Sequence, residues 1–316
     1  MDERTVKDIG ALIKEKRKQK KLTQRTLAKM AGCSLRTIQR IESGYSNTHQ
    51  HTIQQILPIL DISREEFNSI CYGADISMFY SDVERIWDKG LSNEYDIMSE
   101  MVDGLKEKYG TLDRPIVKQV ILLLDGAVLH NKVKDYPASL ATMYEALKIT
   151  ATDIISDKNV IDCRKVSGRI FSLYEYRILR FVAALYGKLG ERKQSLELNG
   201  AIVVSLEKDT SDYGLQKKLI PVTCFNLSNG MIDTGAYTDG LEFAQKGIDF
   251  CKQTKEYKHL GDLLWNKGKA LYRLGDIESA TALFQESFDF FVSTKEHERA
   301  NLAQTIAKEN YKITLL

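Results

Sequence analysis

Apolar residues over the first seventy positions recur at helical spacing, in short runs broken by glycine. Val6, Ile9 and Ile13, with Leu22 beyond them, bracket a first helix. Its last turn reads KEKRKQKK, which sets cations at the negative end of the helix dipole. Thr23 suits the N-cap of a short helix through Gln24, Leu27, Ala28 and Met30, and Gly32 follows as its stop. Ser34 suits the cap of a next helix, with Leu35, Ile38 and Ile41 on one side and Gly44 at its end. Two short helices across a glycine turn outline a helix-turn-helix. Turning Leu35, Ile38 and Ile41 inward gathers Arg36, Gln39, Arg40 and Ser43 on the opposite side, at i, i+3, i+4 and i+7.

After Phe67 the pattern is broken at Gly73, and a junction is expected near residues 70–76. The division is a first domain over residues 1–70 and a second over residues 76–316. In the second, apolar and small residues alternate as in helical hairpins. Gly268, Tyr272, Gly275-Asp276, Ala280, Phe284 and Ser287 follow the order small, aromatic, turn, small, aromatic, small, close to the tetratricopeptide pattern. Weaker copies carry Ser228, Gly235, Gly240, Ala244 and Gly247, then Ala183, Gly190 and Ser195, and first Ala127, Ser139 and Ala146. Taking Ser139, Ser195, Gly240 and Ala280 as equivalent gives steps of 56, 45 and 40 residues, so longer helices or insertions are expected. The segment from Glu298 to Leu316 reads as a terminal cap or a dimer contact.

Composition agrees with an all-α chain, since long stretches rich in Leu, Lys, Glu, Ala and Gln run between only four prolines. The net charge of +2 conceals an asymmetry. Residues 1–44 hold twelve Lys or Arg against five acids, a net of +7, which leaves −5 for the rest. Local basicity of that kind suits a phosphate backbone. Five scattered cysteines lack metal-ligand spacing, and their odd number leaves one unpaired in any intramolecular disulfide scheme. A reducing compartment follows. The charged N-terminus and the absence of a long apolar window point to the cytoplasm, with no membrane partner.

The stretch TQRTLAKMAGCSLRTIQRIESG resembles the phage-repressor or xenobiotic-response-element class of helix-turn-helix. It carries Thr23-Gln24, Leu27-Ala28, Gly32, Ile38 and Ile41-Glu42-Ser43-Gly44 at the places that pattern asks for. Residues His51 to Phe67 would supply the last two helices of a five-helix domain. On this frame Arg36 and Arg40 suit guanine edges, Gln39 an adenine edge or a phosphate, and Ser34, Thr37 and Ser43 lie where base or phosphate contacts fall. The resemblance implies a phosphate contact for Gln24 at the second helix's start, beside Arg25, and another for Asn47 in the loop after Gly44. It also implies an internal salt bridge between Arg17 and Glu42.

Stacked hairpins form a right-handed superhelix whose inner face commonly takes an extended peptide. Asn226 and Asn266 stand 40 residues apart on the first helices of successive hairpins, and Asn229 lies one turn from the former. An amide can both donate to and accept from a peptide backbone. The cluster Tyr174, Tyr176, Arg177 and Arg180 is the candidate for a peptide carboxylate. A helix-turn-helix joined to such repeats resembles the Rgg/PlcR/PrgX family of peptide-pheromone receptors. That resemblance implies a homodimeric, non-enzymatic transcription regulator. It would bind double-stranded DNA at an inverted repeat and a short linear signalling peptide in its repeats, with the peptide altering dimer or oligomer state. The alternative is a regulator of a phage or mobile element whose repeats bind a protein antirepressor. No P-loop, metal spacing or GxSxG occurs, His49 and His51 fall in a loop, His259 and His297 stand alone, and neither cofactor nor metal is expected.

Overall fold

The computed structural model describes residues 3–45, 50–62, 67, 74–156, 160–208 and 215–315. They fall into two compact units, one up to Ile121 and one from Leu122 onward. The protein is all-α. Among the described residues the one extended pairing is a single bridge between Ile155 and Ile161.

The first unit begins with α1 (Glu3–Gln19), α2 (Gln24–Met30), α3 (Leu35–Glu42) and α4 (Gln50–Ile59). Ile9 and Ile13 of α1, Leu27 and Ala28 of α2, Ile38 and Ile41 of α3, and Ile53 and Ile56 of α4 bury one another in a single core. Gly10 lets α1 lie against the end of α3. A Cβ placed on Gly10 would stand 2.2 Å from the Ile41 carbonyl oxygen. His51, expected in a loop, belongs to α4, whose buried Ile53, Ile56, Leu57 and Leu60 hold the helix on the core. The fifth helix expected before Phe67 falls mostly on residues 63–66, outside the described ones, but Phe67 itself packs against the same core. Then follow α5 (Ala74–Leu91), α6 (Tyr95–Tyr109) and the start of α7 (Pro115–Val128). The Tyr109 ring meets Phe79 edge-on, and its hydroxyl donates to Asp82 at 2.8 Å, fastening α6 to α5.

The second unit continues α7 through a π turn (Leu129–Val133) into α8 (Tyr136–Lys148). A 3-10 turn (Thr152–Ile154) and α9 (Cys163–Gly168) precede the hairpin α10 (Leu173–Lys188) and α11 (Arg192–Glu207). After a 3-10 turn (Leu215–Leu219) come α12 (Ile220–Asp233) with α13 (Tyr237–Thr254), and then α14 (Leu260–Leu274) with α15 (Ile277–Ser293). The chain closes with α16 (His297–Ile306) and a π turn (Ala307–Tyr311).

Small residues set the distance between these helices. The Ser139 hydroxyl donates to the Gly126 carbonyl at 2.7 Å, and Ser287 donates to that of Gly261 at 2.8 Å. A Cβ on Gly268 would meet the Phe284 ring at 2.9 Å, and one on Gly247 would meet Leu263 at 2.7 Å. Such spacing leaves no room for a larger residue without moving a helix. Gly190, Gly235 and Gly275 close the three later hairpins at φ of 88°, 89° and 93°, a conformation that suits glycine.

The long first step between repeats has a material cause: the 3-10 turn and α9 are inserted between α8 and α10. The last described residues pack back on the preceding hairpin. Ala307, Tyr311 and Leu315 bury themselves with Ala280 and Phe284, and Trp265 and Tyr272 pack against them. Tyr272 is thereby a packing residue, its ring edge-on to Tyr311. No helix among the described residues is long and apolar enough to cross a membrane.

Candidate nucleic-acid interface and ligand surface

Thr23 and Ser34 are both extended residues whose hydroxyls cap the helices they precede. Thr23 accepts from the Thr26 N–H at 3.0 Å, and Ser34 from the Thr37 N–H at 3.1 Å. Between them Gly32 takes a φ of 61°, which turns the chain from α2 into α3. Ile38 and Ile41 point into the core while Leu35 is half-buried at the rim. The other side of α3 is open: Arg36, Gln39, Arg40 and Ser43 are all exposed. Ser34 is exposed too, and Thr37 is half-buried. Arg25 is exposed on α2, whereas Asn47 lies outside the described residues.

One buried ionic cluster fixes the angle of this surface. The Arg17 guanidinium grips Glu42 with two bonds, Nε to Oε1 at 2.5 Å and Nη2 to Oε2 at 2.8 Å. Its third arm donates to the Leu22 carbonyl at 2.8 Å. Gln24 completes the cluster by donating from Nε2 to Glu42 Oε2 at 2.8 Å, so this side-chain nitrogen is engaged within the fold. Arg17 and Glu42 are only 8% and 9% exposed. Burial by itself would raise the Glu42 carboxyl, but the hydrogen bonds from Arg17 and Gln24 prevail and hold it below its ordinary pKa. The cluster ties α1, the α1–α2 turn, α2 and α3 together around one carboxylate.

On the repeat unit the expected ligand residues separate into two groups. Asn226 and Asn229 are half-buried on α12. Asn229 accepts from Lys269 Nζ of α14 at 2.8 Å and donates to Asp233 at 3.2 Å. Arg177 and Arg180 are half-buried on α10, and the Arg177 guanidinium stands 5.5 Å from the centre of the Tyr174 ring. Asn266 and Tyr176 are turned inward instead. Asn266 is 1% exposed and its amide donates to the Phe225 carbonyl at 3.1 Å and to Ser228 at 2.9 Å. Tyr176 is wholly buried against Phe171, with its hydroxyl 2.7 Å from that of Ser205, which also bonds the Arg169 carbonyl. Asn226 and Asn266 both stand nine residues before a turn glycine, Gly235 and Gly275, yet the first is half-buried while the second joins two helices.

His130 was not singled out by the sequence. It sits in the π turn after α7, its ring 5.5 Å from those of Tyr136 and Phe181. Burial is the main reason its pKa lies below the ordinary histidine value.

Comparison with known proteins gives two family matches. Residues 13–67 match a helix-turn-helix family, and residues 129–311 match the RNPP family C-terminal domain. No curated protein matches the chain in sequence. Among solved structures, PlcR of Bacillus thuringiensis, in complex with the peptide PapR7 and DNA, is similar with a TM-score of 0.63 at 19% identity. That match covers 94% of this chain and 99% of PlcR. The SHP pheromone receptor Rgg2 of Streptococcus dysgalactiae follows with a TM-score of 0.55 at 13% identity, covering 96% of this chain and all of its own. The competence regulator ComR of Streptococcus vestibularis, in its apo form, has a TM-score of 0.53 at 14% identity, covering 96% and 98%. The structural likenesses establish the same fold, and the family domain spans more than half of the sequence. The chain therefore belongs to the RNPP family, with a helix-turn-helix domain ahead of the family's C-terminal domain.

Proposed function

We propose that this protein is a sequence-specific DNA-binding transcription regulator of the cytoplasm, whose repeats bind a short signalling peptide. The peptide shifts the dimer or oligomer state and with it the affinity for an inverted-repeat operator. Residues 1–70 serve as the DNA-binding domain, and residues 76–316 as the peptide-binding and dimerisation domain.

The observation that carries this reading is α3, buried through Ile38 and Ile41 and open along Arg36, Gln39, Arg40 and Ser43. A short helix with exposed arginines on its free side suits insertion into a major groove, where each arginine can grip a guanine edge. Ser34, Thr37, Arg25 and Gln24 would stand around it toward the sugar-phosphate backbone. For Gln24 the backbone N–H at the start of α2 is the group on offer, since its side-chain nitrogen serves Glu42. The partners named for the similar structures, DNA and PapR7 for PlcR and the SHP pheromone for Rgg2, favour a peptide over a folded antirepressor.

Retardation of operator DNA is the test. Arg36→Ala and Arg40→Ala should each weaken operator binding by about 1 to 3 kcal/mol and relax sequence preference. Operator affinity unchanged in both variants would reject α3 as the reading helix. A shift in retardation on adding a short peptide supports the receptor reading, and a shift only with a folded partner rejects it.

A further inference from the structure

We infer that Arg180 is a receptor for a carboxylate of the bound peptide, so that the repeats select an acidic ligand. The inference rests on the peptide-receptor reading above and gives that ligand a chemistry.

The first support is positional. The turn glycines Gly190, Gly235 and Gly275 set the three later hairpins in register. Ten residues before each of them stand Arg180, Phe225 and Trp265, all three half-buried. Trp265 uses this place for packing, its ring 4.5 Å from that of Phe284. Where two hairpins hold an aromatic ring, the hairpin of α10 holds a guanidinium.

The second support is pairing. The Nε atom of Arg180 is shielded from solvent and meets no hydrogen-bond partner, and no described carboxylate forms an ion pair with it. Arg177, one helical turn earlier, adds a like charge. Burial first, and Arg177 second, push the Arg180 guanidinium down to about 10. Arg169, on the segment that leads into α10, is by contrast paired with Asp153 and Glu175. Desolvating a charge without a partner costs free energy that a bound anion returns, and a planar guanidinium matches a carboxylate with two parallel bonds. A peptide carries that group at its C-terminus and on Asp or Glu, and the experiment separates the two sources.

Full-length protein is incubated with equimolar random heptapeptide libraries in four forms: free or amidated at the C-terminus, each with or without Asp and Glu. Retained peptide is measured by mass spectrometry for the wild type, Arg180→Met and Arg180→Lys, alongside the Tm of each ligand-free protein. The wild type should retain carboxylate-bearing peptides at least tenfold over the amidated, acid-free library. The form retained identifies the source. Arg180→Met should lose the preference and raise the ligand-free Tm, because an unanswered charge has been removed. Arg180→Lys, which keeps the charge without the planar fork, should weaken the preference, and it serves where the Met variant fails to fold. Equal retention of all four libraries by the wild type, an undiminished preference in Arg180→Met, or a lower Tm in a folded Arg180→Met would each overturn the assignment and leave the peptide reading standing. No retention of any library by the wild type would overturn both.

Discussion

At the scale of single residues, the orientation of α3 depends on one carboxylate held by three hydrogen bonds. Glu42 accepts two bonds from Arg17 and one from Gln24 in a site nearly closed to water. Replacing it by Gln leaves the Arg17 guanidinium buried with an incomplete partner, and breaking a buried pair from one side destabilises by about 3 to 5 kcal/mol. The pH dependence has a definite sign. The folded carboxyl has a lowered pKa, so its contribution is present above the unfolded value of about 4.3 and is lost as pH falls through the folded value. The Tm difference between wild type and Glu42→Gln, followed by circular dichroism, should therefore be widest near neutral pH and narrow in acid. A difference that stays constant down to strongly acidic pH would mean that Glu42 is not the group being protonated. The pairing of Arg17 with Glu42 is implied by family likeness, but the part of Gln24 is not legible in the sequence. An amide at a helix start reads equally as a hand for phosphate or as a second donor to a carboxylate, and only the distance to Glu42 decides.

At the scale of elements, sequence signals are sharpest where a cap or a turn needs a particular residue type. Thr23, Gly32, Ser34 and Gly44 bound α2 and α3 because each supplies a hydroxyl acceptor or a left-handed backbone that few other residues can. Gly10 is less legible, since a glycine within a helix reads as a weak helix former. Its purpose is the approach of α1 to the Ile41 carbonyl. Gly10→Ala sets two effects against each other, a gain of about 1 kcal/mol in helix propensity and an overpacking loss of about 1 to 3 kcal/mol. The clash is with a backbone oxygen, which cannot swing aside as a side chain can, so a net loss is expected. Urea denaturation should show a lower midpoint for Gly10→Ala, and an equal or higher midpoint would show that α1 can shift freely. In the repeats, the turn glycines gave the register, while the insertion between α8 and α10 showed only as an overlong step. Its content is a 3-10 turn and a helix of six residues capped by Asp162, too short to leave a periodic pattern.

At the scale of the whole molecule, a regulator of this design must let ligand binding be altered without unfolding the scaffold that reports it. The two asparagines spaced by 40 residues test that separation, because the sequence treats them as equivalents and the structure does not. Asn226 is half-buried and has no hydrogen-bond partner among the described residues, whereas Asn266 links α14 to α12 through Phe225 and Ser228. Asn226→Ala removes an amide that nothing in the fold requires. It should leave the Tm and basal operator affinity near wild type while weakening the response of DNA retardation to peptide. Asn266→Ala removes two hydrogen bonds between α14 and α12, one to the Phe225 carbonyl and one to the buried Ser228 hydroxyl, at about 1 to 3 kcal/mol. Its Tm should fall, and any loss of peptide response should come with it. The contrast is in the pairing of two readouts: an Asn226 variant that loses stability along with response would make that asparagine a scaffold residue as well. An Asn266 variant that loses response at unchanged Tm would return it to the ligand surface. Position within a repeat thus nominates the residues, and the direction of one side chain decides whether it joins helices or meets a ligand.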